Sequence, residues 1–171
     1  RDHDRGKLIM ACGTGKTFTA LEIMDSVVAA GGRVLFLAPS ISLVSQTLRE
    51  WASDARTPFN AFAVCSDAGV GKDQDDIPVH DLAYPATTDP DKLATAVKTR
   101  ERFLPDRRSV VFSTYQSIDV IRAAQSKGVG AFDLVICDEA HRTTGITLAE
   151  DKDDSNFVKV HEQKNIDASK R

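Results

Sequence analysis

Cysteine, long apolar runs and surplus positive charge are all scarce in this sequence, and each scarcity excludes something. The three cysteines, Cys12, Cys65 and Cys137, are odd in number and have no C-x-x-C spacing. That pattern argues against a disulfide framework and for reduced thiols in a cytosolic setting. No apolar run approaches the ~20 residues that span a bilayer, and Arg1-Asp2-His3-Asp4-Arg5 is not a signal peptide. The expectation is a soluble, cytoplasmic protein with no membrane partner. The formal net charge is −3, so bulk electrostatics give no reason for nucleic-acid binding, and only a local basic patch stays open. His3, His80 and His161 have no metal-ligand spacing, and no internal repeat is visible. A length of 171 residues suffices for one α/β domain with a real core and is too short for two.

What is present is a regular alternation. Leu8 to Ala11, Val34 to Ala38, Val110 to Ser113 and Leu134 to Cys137 are apolar without polar alternation, as parallel strands covered on both faces are. Asn60 to Cys65 is a weaker candidate strand. Between them lie helical stripes: Ala20, Leu21, Met24, Val27 and Val28, with Gly31-Gly32 as the stop, then Leu43, Val44, Thr47, Leu48 and Trp51. Asp89-Pro90 reads as a cap and a first-turn proline opening a helix to about Arg102. Tyr115 to Ala124 is a further helix. The expected fold class is α/β: a parallel sheet with right-handed crossovers and helices on both faces. Ser66 to Thr88 and Thr143 to Asn156 read as flexible loops. The first is longer than compact domains usually allow, and the second carries Glu150-Asp151-Lys152-Asp153-Asp154. Gly69-Val70-Gly71-Lys72 looks like a phosphate loop, but Asp73 stands where a hydroxyl belongs and no strand precedes it, so a turn is the better reading. Phe157 to His161 is open between helix and strand.

Two motifs carry chemistry. Gly13-Thr14-Gly15-Lys16-Thr17 follows Leu8-Ile9-Met10 and precedes a helical pattern; Asp138-Glu139-Ala140-His141 follows Leu134-Val135-Ile136-Cys137. A bound triphosphate needs a loop whose backbone N–H groups all turn toward one anion, and Gly13 and Gly15 permit those angles. The first amides of the helix lack intrahelical partners and carry partial positive charge, so they favour phosphate. Lys16 would reach the β and γ oxygens, and the Thr17 hydroxyl would enter a magnesium shell. The strict G-x-x-x-x-G-K-T pattern places its leading glycine where Met10 stands, so alone the motif could be a plain glycine turn. A carboxylate at the end of a buried strand changes the balance, because open α/β sheets present ligands there. Asp138 suits Mg2+, which prefers oxygen ligands and keeps several waters. Glu139 would polarise the attacking water. The cofactors so implied are ATP and Mg2+.

These residues resemble the first RecA-like motor domain of superfamily 2 helicases and translocases of the DEAH-box kind, over nearly the whole chain. Met10 to Thr17 is similar to motif I, which in this superfamily often lacks the leading glycine. Ala38-Pro39-Ser40 with Leu43 and Gln46 is similar to motif Ia, Ser113 to Ser117 to the motif Ib region, and Asp138 to His141 to motif II. The wording is most like ATP-dependent restriction enzymes, type III and single-polypeptide type I, which translocate on duplex DNA. The resemblance implies a RecA-like P-loop fold, a three-layer sandwich. It implies that Pro39, Ser40, Thr114 and Tyr115 face the DNA, contacting phosphates through backbone N–H and hydroxyl groups without reading sequence. It also implies that His141 couples the γ-phosphate to the partner domain. Bland readings stand beside these: Pro39-Ser40 is also an ordinary helix start, Thr114 an ordinary cap and His141 an ordinary loop residue. Cys12, inside the phosphate loop, is either accessible to alkylation or a buried filler. The family would continue beyond Lys170-Arg171 into the strand of motif III and a second RecA-like domain with an arginine finger. That finger can be worth ~1000-fold or more in rate, so the chain alone is expected to bind nucleotide weakly and hydrolyse it poorly. Other functions left open are an RNA helicase and a non-hydrolysing ATP-binding scaffold.

Overall fold

The computed structural model describes residues 4–11, 13–65, 86–139, 160 and 162–171. Four parallel strands, β1 (Arg33–Ala38), β2 (Asn60–Val64), β3 (Ser109–Thr114) and β4 (Leu134–Cys137), form a sheet in the order β2-β3-β1-β4. The helices are α1 (Lys16–Val27), α2 (Ile41–Asp54), α3 (Pro90–Phe103) and α4 (Ile118–Ala124).

The unbroken apolar runs are explained by two cores, one on each face. Val34, Phe36 and Ala38 of β1 pack with Leu21 and Met24 of α1 and Val44, Leu48 and Trp51 of α2. Leu35 and Leu37, pointing the other way, pack with Leu93 and Val97 of α3 and Ile118 and Ile121 of α4. Alternate residues of one strand thus feed opposite layers, which is why no polar alternation survives. Asp89 caps α3 by accepting N–H bonds from Asp91 and Lys92, with Pro90 in the first turn.

The structure corrects the sequence reading in several places. Residues 8–11 are not a strand: they join no sheet among the described residues, and Leu8 and Ile9 are 59% and 83% exposed. The reason lies in the pairing beyond β4. Phe132 N–H donates to Asp167 O (3.0 Å), Ser169 N–H to Phe132 O (2.9 Å) and Val135 N–H to Lys170 O (2.9 Å). On the far side of that segment, Arg171 N–H donates to Asp4 O (2.7 Å) and Gly6 N–H to Arg171 O (2.9 Å). Residues 167–171 therefore lie between β4 and the N-terminal segment, which they meet at Asp4 and Gly6. Residues 8–11 have no strand beside them among the described residues, and an extended backbone without a neighbour leaves its polar groups to water. The helix α1 ends at Val27, ahead of Gly31-Gly32; Gly31 instead turns the chain at φ 75°, where a Cβ would lie 2.6 Å from Pro105 O. The expected helix from Tyr115 divides into a tight turn over Tyr115–Ser117 and α4 proper. The loop at 143–156, all of Ser66 to Thr88 except residues 86–88, and all of Phe157 to His161 except Val160 lie outside the described residues.

Candidate nucleotide site

Strand register places the site. Leu37 pairs with Cys137 and Ala38 with Thr114, so β1, β3 and β4 end at one level. Pro39-Ser40, the Tyr115–Ser117 turn and Asp138-Glu139 leave the sheet side by side, at the edge where open α/β sheets bind ligands.

The loop before α1 uses the backbone freedom of its glycines. Gly13 stands at φ 74° and Gly15 at φ 83°, and a Cβ at either would meet nothing within 4 Å. Backbone angle, and not crowding, is what asks for glycine here. Helix α1 begins at once: Gly15 C=O accepts the Thr19 N–H at 2.9 Å and the Thr19 hydroxyl at 3.0 Å. The Thr14 hydroxyl braces the loop by donating to Ala11 O at 2.7 Å.

The two motifs meet. Lys16 Nζ lies 3.5 Å from Glu139 Oε1, each side chain about a third exposed. A long, half-solvated ion pair of this kind is worth ~0–1 kcal/mol to folding, so its interest is positional. Asp138 is held at three points: its N–H donates to Leu37 O (2.8 Å), its C=O accepts the Tyr115 hydroxyl (2.8 Å), and its Oδ1 accepts the Glu139 N–H (3.0 Å). Glu139 has φ 54°, the one positive φ outside glycine among the described residues. Burial raises the Asp138 carboxyl above the ordinary range; the bond from Glu139 N–H lowers it, the Glu139 charge raises it and Lys16 lowers it. A carboxylate short of compensating charge is a donor that a hard cation relieves. Open space at Gly13 and Gly15, a lysine facing it and this carboxylate together fit a phosphate chain with its magnesium.

Trp51 and Tyr115 are the functional surprises. Trp51, fully buried in α2, donates its indole N–H to Thr17 O at 3.0 Å, bracing the first turn of α1. Its only sequence signal was that a Trp in an apolar stripe needs a partner for its N–H. Pro39 and Ser40 are half-buried, and the Ser40 hydroxyl caps α2 by accepting the Leu43 N–H at 3.3 Å. Thr114 and Tyr115 are buried. The Thr114 and Ser117 hydroxyls lie 3.2 Å apart, and the Tyr115 hydroxyl is spent on Asp138. Both hydroxyls that were expected to contact phosphate are therefore engaged within the fold. His141, Cys12 and Gly69 to Lys72 lie outside the described residues. No helix among the described residues is long and apolar enough to cross a membrane.

Comparison with known proteins shows the family and the fold. A family model described as "Type III restriction enzyme, res subunit" matches residues 1–166. The "Probable helicase" of African swine fever virus, from a Pretoriuskop isolate, is 32% identical over 145 residues, 85% of this chain and 14% of that protein. Its counterpart from a Malawi isolate is 33% identical over 141 residues, 82% of this chain and 14% of that protein. The chain therefore spans about a seventh of these relatives. Among solved structures, the ATP-dependent Type ISP restriction-modification enzyme LlaBIII bound to DNA is 44% identical with a TM-score of 0.86, covering 99% of this chain and 11% of that one. A nuclease-deletion mutant of the Type ISP enzyme LlaGI, in complex with a DNA substrate mimic, is 43% identical with a TM-score of 0.78, covering 98% of this chain and 13% of that one.

Proposed function

The chain belongs to the family of the type III restriction enzyme res subunit, a RecA-like helicase motor domain close to restriction enzymes, and from that premise we propose that it is the ATP-binding half of a motor that translocates on duplex DNA. The observation that carries the reading is the approach of Lys16 to Glu139 beside a loop whose two glycines stand at positive φ.

Each residue then has a task. The amides after Gly13 and Gly15 take the phosphate oxygens, and Lys16 leaves Glu139 for them. Glu139, released from that pairing, orients a water and accepts its proton. Thr17 and Asp138 hold magnesium, which when bound neutralises charge developing on the phosphate oxygens. His141 links the site to the partner domain. Pro39-Ser40 and the backbone around Thr114 and Tyr115 grip the DNA backbone, positioning the protein without reading sequence. The likeness to restriction enzymes solved with DNA or a DNA substrate mimic supports DNA as the track. The whole protein is read as cytoplasmic, and a second RecA-like domain completes the site. Alone, the chain binds nucleotide weakly and turns it over slowly.

The test compares the full-length protein with this chain alone, following ATP turnover with and without duplex DNA, and displacement of a triplex-forming strand. DNA-stimulated turnover with triplex displacement by the full-length protein, and little turnover by the chain, is the expected result. Brisk DNA-stimulated turnover by the isolated chain would contradict it. Stimulation by RNA alone would favour an RNA helicase, and binding without turnover in the full-length protein would favour a scaffold.

A further inference from the structure

The acid turn at Asp138-Glu139 is built in a conformation it would not adopt freely. A non-glycine residue at φ 54° costs free energy, because its Cβ crowds the following carbonyl, and such strain persists only where the surroundings over-determine it. Here the surroundings can be named. The Asp138 N–H is fixed to β1 through Leu37 O, and its Oδ1 holds the Glu139 N–H. The carbonyl between these two points belongs to the peptide unit that sets the angle of Glu139, and it accepts the Tyr115 hydroxyl at 2.8 Å.

Tyr115 is suited to hold that carbonyl still. Its ring is fully buried among Leu35, Leu37, Ile118 and Val135, so the hydroxyl cannot swing. Burial raises the phenol above its ordinary value, with Cys137, Asp138 and Glu139 adding to the effect. Tyr115 also opens the turn that leaves β3 beside Pro39-Ser40, because Thr114 pairs with Ala38. The turn it opens reaches the surface at Gln116, which is half-buried, while the Tyr115 hydroxyl is bonded to the acid turn.

We propose that Tyr115 is a positioning residue for nucleotide hydrolysis, through which movement of the 114–117 turn on nucleic-acid contact is transmitted to Asp138 and Glu139. The inference rests on the motor reading above. It assigns no contact with substrate to Tyr115 itself, whose action passes through the Asp138 carbonyl.

Tyr115→Phe in the full-length protein removes the hydroxyl and keeps the ring. ATP turnover is measured across ATP concentration, with and without duplex DNA, beside the melting temperature. The expected result is a kcat with DNA lower by about tenfold, roughly the effect of one lost positioning bond. The KM for ATP should stay within about twofold, because the phosphate loop is untouched. The ratio of DNA-stimulated to basal turnover should also fall. A variant matching an active wild type in kcat and stimulation would overturn the inference while leaving the motor reading intact. A rise in KM as large as the fall in kcat would also overturn it, as general loosening. A wild type without turnover would overturn both.

Discussion

Glu139 and Cys137, two residues apart, show how the end of one strand shapes its side chains. Glu139 is left at positive φ and faces Lys16, whereas Cys137 points into the fold, where burial pushes its thiol up to about 11 from 9.0. Tyr115 and Arg171 pull it the other way without prevailing. An acid whose folded value is raised keeps its proton after the unfolded chain has lost it, so the folded state binds more protons and stability falls as pH rises. The window runs from about 9, where the unfolded thiol ionises, to about 11, and the loss attributable to this group is on the order of 2 kcal/mol. Urea midpoints at pH 8 and pH 10.5 should therefore separate further in the wild type than in Cys137→Ala. Equal separations would show that the thiol is not the titrating group. At this scale the sequence spoke clearly about Gly13 and Gly15, since a φ near 80° leaves little choice of residue. It was silent about Tyr115: an aromatic after a strand reads alike whether its hydroxyl meets phosphate or a buried carbonyl.

Elements were legible where the signal was local. The cap at Asp89-Pro90 and the run from Leu134 to Cys137 needed no knowledge of distant residues, and both formed as read. Leu8 to Ala11 has the same apolar character, yet a strand is a relation between segments, and here the pairing reaches only Gly6. Long-range ties of another kind were equally invisible. Arg108, just before β3, donates to Val28 O at the end of α1 (2.7 Å), to Asp25 Oδ1 (2.9 Å) and to Thr57 (3.0 Å). Asp25 and Arg108 are nearly buried, and Asp25 Oδ2 has no hydrogen-bond partner among the described residues. Truncating the arginine leaves that carboxylate without its cation, a situation that typically costs ~3–5 kcal/mol. Urea unfolding of Arg108→Ala should show a loss of that order, and a loss below about 1 kcal/mol would mean that the pair behaves as a surface one. The tie matters to the site because it anchors the far end of the helix whose first turn carries Lys16 and Thr17.

At the scale of the molecule, two faces of one sheet are joined at its carboxyl edge. The layer of α1 and α2 brings the phosphate loop, braced by Trp51 on Thr17; the layer of α3 and α4 brings Tyr115, braced on Asp138. Each half of the proposed nucleotide site is thus tethered by a buried aromatic donor to an element that starts at the proposed DNA rim. The meeting of Lys16 with Glu139, 123 positions apart in the sequence, could be inferred from motif order alone, but its present form, a 3.5 Å ion pair, could not. The central claim is that Gly13 to Thr17 and Asp138-Glu139 form one hydrolytic ATP site. Its most direct test is Glu139→Gln in the full-length protein, with binding of a fluorescent ATP analogue in Mg2+ and ATP turnover measured on the same preparation. The account predicts binding within about threefold of wild type and turnover reduced by about a hundredfold or more, the range for a lost general base. Turnover that survives the substitution would contradict it.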